Sequence, residues 1–304
     1  MWPQICVWHI SNNKRIEMKN GALTRSHGLG LGVLVAALLA ACGGGGGDES
    51  PSSGPTSPAA SSPAAPAPGL KVQGSAQTVA AVSGKVNVIL SAPAWSSDGS
   101  IASGTYFMGA PFDVVGLKEA APGAYSEFVT GTNVATLSSS ATIAEVAGNG
   151  QFAIGRWTDG SDTLGGTYNV NQGRTYAVGT PVTVNLAVGT ALNCSLVAST
   201  KPTSGAGNAS PGTLEIATAK VAMSSMGSLV YNLNLTYSIG SDLHQAFSAT
   251  GVYANSGVFS SSTKSTLVSR LVGADPAKPS LMLSYGVQSA STGTVNGVAV
   301  LGCS

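Results

Sequence analysis

The chain has 304 residues, of which only 9% are charged, against roughly 25% in an average globular protein. From Gly43 onward, ten Lys and Arg stand against twelve Asp and Glu, a net charge of −2. This balance excludes the strongly basic surface of a nucleic-acid-binding protein, and we expect no nucleic-acid partner.

Residues 1–17 do not fit the pattern of an exported protein. They contain two Trp, one Cys and Glu17, which no signal peptide requires. We therefore interpret 1–17 as a miscalled start and predict that translation begins at Met18.

Residues 18–41 have the pattern of a secretory signal peptide. Lys19 and Arg25 precede an uncharged run of 13 residues, 29–41. Because a membrane-spanning helix needs about 20 apolar residues, this run is too short to span a bilayer.

The signal peptide ends on the four residues Leu39, Ala40, Ala41 and Cys42. This pattern resembles the lipobox of bacterial lipoproteins at all four positions. The resemblance implies a diacylglyceryl group on the sulfur of Cys42 and acylation of its freed amine, and two or more acyl chains give a stable membrane anchor. Gly43, rather than Asp, follows the cysteine, and by the same resemblance this favours the outer membrane. The alternative is an ordinary signal peptide with an unmodified cysteine.

Residues 42–69 are predicted to be a disordered tether. After Cys42 the segment contains six prolines and no large apolar residue, so it cannot bury a core. It would reach ~80 Å as polyproline helix or roughly 30 Å as a flexible coil. Either length would hold a folded domain clear of the lipid headgroups.

Residues 70–150 form an irregular β-rich region. Lys85–Leu90 alternates between apolar and polar residues, whereas 92–104 and 119–128 have the composition of long loops. The pattern does not decide between extra hairpins on the following domain and a small separate domain.

Residues 151–304 show the period-two pattern of half-buried strands. In the clearest case, Leu233 and Leu235 share one face while Asn232 and Asn234 share the other. The predicted strands after Pro181 are 182–188, 192–199, 214–223, 229–238, 246–253, 266–271, 281–287 and 295–303. Only 241–247 begins like a helix, and it is short. We predict an all-β fold with an antiparallel up-and-down barrel of about eight strands, or alternatively a β-sandwich.

Residues 150–160 (GQFAIGRWTDG) and 174–181 (RTYAVGTP), followed by alternating strands, resemble the transferrin-binding-protein-like lipoproteins of Gram-negative bacteria. The resemblance covers about the last half of the chain. It implies an eight-stranded barrel behind a flexible lipidated tether.

Cys194 and Cys303 are the cysteines that remain once Cys6 and Cys42 are assigned. Each lies on the apolar face of its predicted strand, and an exported chain usually pairs such cysteines. A bond that closes a loop of about 100 residues would stabilise the fold by roughly 4.7 kcal/mol in the chain-entropy model. The alternative is two buried thiols. In a simple count the two strands are not neighbours, so the bond would cross the barrel interior or the count is off by one.

Catalytic motifs are missing from the sequence. It has no Gly-x-Ser-x-Gly elbow, His-Glu-x-x-His motif or phosphate-binding loop. Ser261 and Lys264 have the spacing of penicillin-recognising enzymes, but the two other signatures of those enzymes are missing. We therefore predict that the protein is not an enzyme.

Metal ligands are equally sparse. His244 is the only histidine after the leader, so we predict no histidine-based zinc site and interpret it as a surface residue. Asp159 and Asp162 are too few for a calcium loop and are interpreted as turn residues. Arg156 would need a carboxylate partner if it is buried. We expect no cofactor.

These patterns predict an outer-membrane lipoprotein, anchored through Cys42, whose barrel-like domain binds a protein or small ligand at the cell envelope. The alternative is a structural or adhesive lipoprotein without a ligand pocket. An aromatic-lined pocket would favour the first hypothesis, and a filled barrel interior would favour the second.

Overall fold

The computed structural model describes residues 69–90, 111–255 and 265–304, together with the backbone of 259–261. All of these belong to one compact unit, Pro63–Ser304. The other unit, Met1–Ser62, lies outside the described residues, and so do the predicted signal peptide, the lipidation site Cys42 and nearly all of the tether.

The first eleven strands form three sheets. Their bounds are β1 (Lys71–Ser75), β2 (Lys85–Leu90), β3 (Phe112–Asp113), β4 (Leu117–Ala121), β5 (Ala124–Thr130), β6 (Asn133–Thr136), β7 (Thr142–Gly148), β8 (Phe152–Thr158), β9 (Gly160–Ser161), β10 (Thr167–Tyr168) and β11 (Arg174–Gly179). The largest sheet has the order β1-β7-β8-β11-β2-β3; β4-β5-β6 and β9-β10 form two smaller ones. Strands β1 and β7 pair in parallel, whereas β7, β8, β11 and β2 pair antiparallel in succession.

This arrangement bears on the region 70–150. The division at 150/151, across which the sequence left one or two domains open, falls in the turn between β7 and β8, and these two strands pair in one sheet. The expected loop 119–128 is part of a hairpin in which β4 and β5 are joined by two residues, Pro122 and Gly123. Gly123 has a φ of +70°, a conformation that glycine adopts without steric cost and that a tight turn requires. Composition therefore identified a turn here but missed the strands beside it.

The remaining strands form the antiparallel barrel. Their bounds are β12 (Ala191–Ser199), β13 (Thr203–Ser204), β14 (Thr213–Met223), β15 (Leu229–Ile239), β16 (Asp242–Tyr253), β17 (Phe259–Ser261), β18 (Ser265–Val272), β19 (Ser280–Ser289) and β20 (Gly293–Cys303). Eight of them follow the order β16-β15-β14-β12-β20-β19-β18-β17, and β13 pairs with β20 beside that path. Successive strands are neighbours, and the first large strand, β12, pairs with the last, β20.

The ring is nearly closed between its two ends, β16 and β17. The Ser269 hydroxyl donates to the Tyr253 carbonyl oxygen at 3.2 Å, and the Leu271 amide donates to Asn255 Oδ1 at 2.9 Å. These bonds connect the end of β16 with β18. The prediction of an all-β fold with an up-and-down barrel of about eight strands is thus confirmed.

The individual strands differ in three places from those expected. Residues 182–188 lie in no ladder, although Val184 is buried in the barrel core. Strand β17 was not anticipated, and 242–247 belongs to β16 rather than to a helix. At 182–188 the apolar alternation therefore reflects the burial of Val184, but it does not establish that the backbone is paired.

Apolar side chains fill the barrel interior. Along β15, Tyr231, Leu233, Leu235, Tyr237 and Ile239 are all buried within it. They pack against equivalent residues of the facing strands, such as Leu214, Leu267, Leu283 and Leu301. The alternation expected for this strand is what the structure shows.

One side of the barrel is covered by the six-stranded sheet. The outward faces of β18, β19 and β20 pack against β2, β8 and β11 through an apolar layer that comprises Ile89, Phe152, Ile154, Ala177, Val268, Val272, Met282, Val298 and Val300. The opposite face of the six-stranded sheet packs against the β4-β5-β6 sheet around Trp157, Tyr176 and Phe128. Strands β18 to β20 are consequently buried on both faces.

An ion pair within the six-stranded sheet is linked by a hydrogen bond to the loop after β12. Arg156 in β8 donates to Glu145 at 2.7 Å, and Glu145 Oε2 accepts the Lys201 amide from the loop after β12 at 2.9 Å. Glu145 has a φ of +60° and lies where the pairing register between β7 and β8 shifts. The guanidinium also donates to the carbonyl oxygens of Val170 and Gln172. Arg156 therefore has the carboxylate partner that its burial requires.

Candidate functional site

The two cysteines predicted to pair lie opposite each other on β12 and β20. Asn193 and Ser304 exchange both backbone hydrogen bonds, so Cys194 and Cys303 form the next, non-hydrogen-bonded pair, in which side chains are closest. Their sulfur atoms are 2.06 Å apart, at disulfide-bond distance. The bond does not cross the interior, because β12 and β20, the first and last large strands of the barrel, pair with each other. Of the two alternatives that the sequence left open, the strand count is off by one, since 182–188 is not a barrel strand.

The barrel interior offers little space for a ligand. Besides the aliphatic residues, it holds the fully buried rings of Tyr231 and Tyr285. The ring of Tyr285 lies over its cross-strand partner Gly297, where a Cβ would overlap the phenol oxygen. Burial raises the pKa of Tyr231 to about 12 and that of Tyr285 further, so both phenols are neutral in the physiological range.

The outward faces of β12, β14, β15 and β16 are exposed, and we call them the bare face. Its residues are ordered in rows by the strand register. One row runs Asn193, Lys220, Asn232 and the next runs Ser195, Thr218, Asn234, Ser248. The row above contains the exposed apolar residues Val197 and Ile216. Neutral polar side chains dominate the lower two rows.

A concavity of about 630 Å³ lies on the bare face. Its lining comprises Asn193, Cys194, Ser195, Thr218, Ala219, Lys220, Asn232, Asn234 and Ser304. Lys220 is the only charged side chain among them, and no Asp or Glu side chain or aromatic ring lines it. The sequence showed the polar face of these strands but not that it is concave.

Protein donors already occupy the amide oxygens of two asparagines in the concavity. The Gly251 amide donates to Asn232 Oδ1 at 2.9 Å, and the Ser248 hydroxyl donates to Asn234 Oδ1 at 2.9 Å. These contacts orient each side chain and leave its NH₂ group as the end available to a ligand.

A second, smaller cavity of about 230 Å³ lies where β16 approaches β18 and β19. Tyr237, Phe247 and Val287 supply its apolar surface, while Gln245, Ser265 and Gln288 supply polar atoms.

Ser238, His244 and Glu215 come together at the surface without forming a catalytic triad. Glu215 accepts a hydrogen bond from the Ser238 hydroxyl and another from His244 Nδ1, the latter at 2.8 Å. The serine hydroxyl thus faces the carboxylate, not an imidazole nitrogen that could remove its proton. These hydrogen bonds lower the pKa of Glu215. The other candidate nucleophile is Ser261, paired in the sequence with Lys264. Ser261 is described by its backbone alone, and Lys264 lies outside the described residues.

The Asp162 carboxylate is fully engaged by protein donors. One oxygen accepts Arg174 Nε and the Tyr168 hydroxyl, each at 2.6 Å, and the other accepts the Leu164 and Gly166 amides. Asp162 therefore organises the loop after β8, as a turn residue. In the described ranges, no group of three or more His, Cys, Asp or Glu side chains is placed to hold a metal ion.

Within the same ranges, no helix is long and apolar enough to cross a bilayer. No protein-family model, no curated protein and no solved structure shows a significant match to the chain.

Proposed function

We propose that the protein is an outer-membrane lipoprotein, anchored through Cys42, that binds a partner molecule on the bare face of its barrel. The observation that carries the binding role is the asymmetry of the barrel. One side is covered by the six-stranded sheet, whereas the other presents ordered polar rows and a concavity of about 630 Å³. The lining offers a partner mainly neutral hydrogen-bonding groups rather than an apolar pocket.

The filled interior restricts where a partner could bind: under this proposal the site lies outside the barrel. Barrels that carry ligands internally leave space between their inward-facing side chains. Here those positions are occupied by buried residues such as Tyr231, Leu233 and Tyr285. The proposed role is binding, and we assign no reaction to the chain.

The anchoring part of the proposal rests on the lipobox at 39–42 and the proline-rich tether. Cells that express the full chain would be labelled with a clickable fatty acid and fractionated. We expect label in the wild-type protein, which should sediment with outer membranes. The Cys42→Ser variant should be unlabelled, and it should be either soluble or unprocessed. An unlabelled wild-type protein would contradict the proposal.

Protease treatment of intact cells would then establish which side of the membrane the barrel occupies. Digestion of the wild-type protein in intact cells would indicate surface display. Protection until the outer membrane is permeabilised would indicate a periplasmic position. Either result is compatible with binding, but they select different classes of partner.

A structural or adhesive envelope lipoprotein is the second candidate, and the filled interior is the observation that favours it. The two roles differ in their dependence on the bare face. Thr218→Trp would obstruct the concavity from an exposed position without entering the core. This variant should abolish ligand binding, whereas a scaffold held by its tether and its fold should retain full activity in an assay of envelope integrity.

A further inference from the structure

We propose that Asn149, in the turn between β7 and β8, is a site of spontaneous deamidation that the fold promotes. The Gly150 amide nitrogen bonds to the side-chain carbonyl carbon of Asn149, and the side-chain nitrogen leaves as ammonia with the proton that the amide gives up. One water molecule then opens the resulting succinimide ring at either carbonyl, which yields aspartate or isoaspartate. The proposal goes beyond the binding role of the bare face and depends on neither the lipid anchor nor the concavity.

The described residues contain two Asn-Gly pairs, Asn149–Gly150 and Asn296–Gly297. Glycine after the asparagine favours the reaction, because the attacking nitrogen then belongs to a residue without a side chain and the backbone can approach closely. The local sequence is suitable at both positions. The difference between the two pairs must therefore come from the fold.

The side-chain carbonyl of Asn149 is held by two backbone donors. Its Oδ1 accepts the Gln151 amide at 3.0 Å and the Phe152 amide at 3.3 Å. These donors polarise the carbonyl group and stabilise the negative charge that develops on this oxygen when its carbon is attacked. Among the described residues no acceptor binds the NH₂ group of Asn149, so the leaving group is not held by the protein.

The attacking nitrogen of Gly150 is available as well. In the described part of the chain its N–H donates to no acceptor, whereas its carbonyl oxygen accepts the Ala80 amide at 2.8 Å and fixes the turn. Gly150 has a φ of +85°, and a Cβ at this position would lie 2.9 Å from Gln77 Oε1, so the turn requires glycine. Asn149 itself is exposed, and water can reach the succinimide.

Asn296–Gly297 lies within β20, which pairs with β19 on one side and with β13 on the other. The Cys303 amide donates to the Pro279 carbonyl oxygen, and hydrogen-bonded pairs alternate along the ladder from there. This alternation places Gly297 opposite Tyr285 in a hydrogen-bonded pair. The Gly297 nitrogen is therefore engaged in the sheet, and we expect Asn296 to be protected.

The experiment ages the full folded chain in detergent at neutral pH and physiological temperature. Peptide mapping by mass spectrometry follows the conversion of –NH₂ to –OH at each asparagine, and an isoaspartate methyltransferase labels isoaspartate. We expect Asn149 to deamidate at least about tenfold faster than Asn296, because Asn149 alone combines a polarised carbonyl with an available nitrogen. In protein that is reduced and unfolded in guanidinium, the two rates should agree within about threefold, because the fold no longer separates them.

Asn149→Ser is the matched variant. Serine retains a side-chain oxygen that can accept a backbone amide in a turn, but it has no amide group to lose. Isoaspartate inserts one CH₂ group into the backbone of the turn that the Asn149 amide closes by donating to the Phe152 carbonyl oxygen. Aged wild-type protein should therefore unfold at a lower denaturant concentration than fresh protein, whereas ageing should leave Asn149→Ser unchanged at this turn.

Equal rates at the two asparagines of the folded protein, or faster reaction at Asn296, would overturn the proposal. So would an Asn149 that reacts faster in the unfolded chain than in the folded one, since the turn would then protect the residue rather than activate it. Fatty-acid labelling at Cys42 is measured independently, so these outcomes leave the proposed anchoring untouched.

Discussion

Leu233 and Asn234 are adjacent in β15 but face opposite environments. The Leu233 side chain is 1% exposed inside the barrel, whereas Asn234 is on the bare face and accepts a hydrogen bond from the Ser248 hydroxyl. A carboxylate introduced at each of the two positions should therefore lower the free energy of unfolding by very different amounts.

We expect Leu233→Asp to destabilise the protein by more than about 3 kcal/mol, since it buries a carboxylate without a partner. Asn234→Asp adds the same charge but retains an oxygen for Ser248, and its effect should stay within about 0.5 kcal/mol. Thermal and urea unfolding of both variants would measure the difference. Equal damage would mean that the outer face of β15 is buried as well.

Asp162 illustrates how a single carboxylate orders a loop. Its side chain is fully buried and lies 2.6 Å from Arg174 Nε. Burial alone raises the pKa of a carboxyl group, but the hydrogen bonds from Arg174 and Tyr168 outweigh it, and the pKa of Asp162 lies below its usual value.

This shift predicts a dependence of stability on pH. Because the unfolded chain binds the proton more readily, the contribution of Asp162 is fully present above its unfolded pKa of about 3.9. It is lost as the pH falls from there through the lowered folded value. Asp162→Asn should cost about 1–3 kcal/mol near neutral pH.

Chemical unfolding of both proteins from about pH 7 down to about pH 3 tests this expectation. The difference between wild type and Asp162→Asn should narrow as the solution becomes acidic. A difference that is constant over this range would show that the ionised carboxylate is not what stabilises the loop.

At the scale of elements, the pairing of β12 with β20 joins the first and last strands of the barrel, and the disulfide lies between these two strands. Its two cysteines are separated by 109 residues. We expect the double variant Cys194→Ser, Cys303→Ser to lose about 2–5 kcal/mol of stability.

Intact-mass analysis provides the direct check. Reduction should add two hydrogen atoms to the wild-type protein, and alkylation under unfolding conditions should label no thiol of the mature chain before reduction. Two alkylated thiols at Cys194 and Cys303 in the unreduced protein would contradict the bond.

The sequence predicted most of the large strands because their two faces differ in polarity. It placed 192–199, 214–223 and 229–238 within a few residues of β12, β14 and β15. It failed at 182–188, where Val184 reaches the core but the backbone makes no ladder. An alternating side-chain pattern indicates which residues are buried. It does not indicate whether another segment lies alongside to form backbone hydrogen bonds.

At the scale of the whole molecule, the two sides of the barrel differ in what covers them. The outward side of β20 contributes Val298 and Val300 to the layer beneath the six-stranded sheet, and both are fully buried. The outward side of β15 has no such cover, as the exposure of Asn232 and Asn234 shows.

Val300→Asp should accordingly destabilise the protein by more than about 3 kcal/mol, although the side chain points away from the barrel interior. Asn232→Asp is the matched control on the bare face and should be nearly neutral in stability. Urea unfolding measures both. A mild effect of Val300→Asp would show that the sheet separates readily from the barrel.

Local sequence patterns could not predict how the barrel and the two sheets pack as layers. Thr266 and Ser284 are polar residues in strands whose pattern predicts one buried face, yet both are fully buried. The partner of Arg156 was equally hidden, because Glu145 reaches it through an irregular position in β7. Both features depend on contacts between distant segments, which local periodicity does not encode.

The pairing of β12 with β20 also determines when the barrel can form during synthesis. Strand β12 is the first of the barrel strands to be synthesised, but its second neighbour is the last strand, so one edge stays unpaired until nearly the whole chain has been made. Pairing of such distant segments is intrinsically slow. While this edge of β12 is unpaired, it can pair with another chain, and a chaperone that shields an exposed strand edge would protect the protein from such aggregation. A chain cut short before β20 would leave the edge exposed permanently.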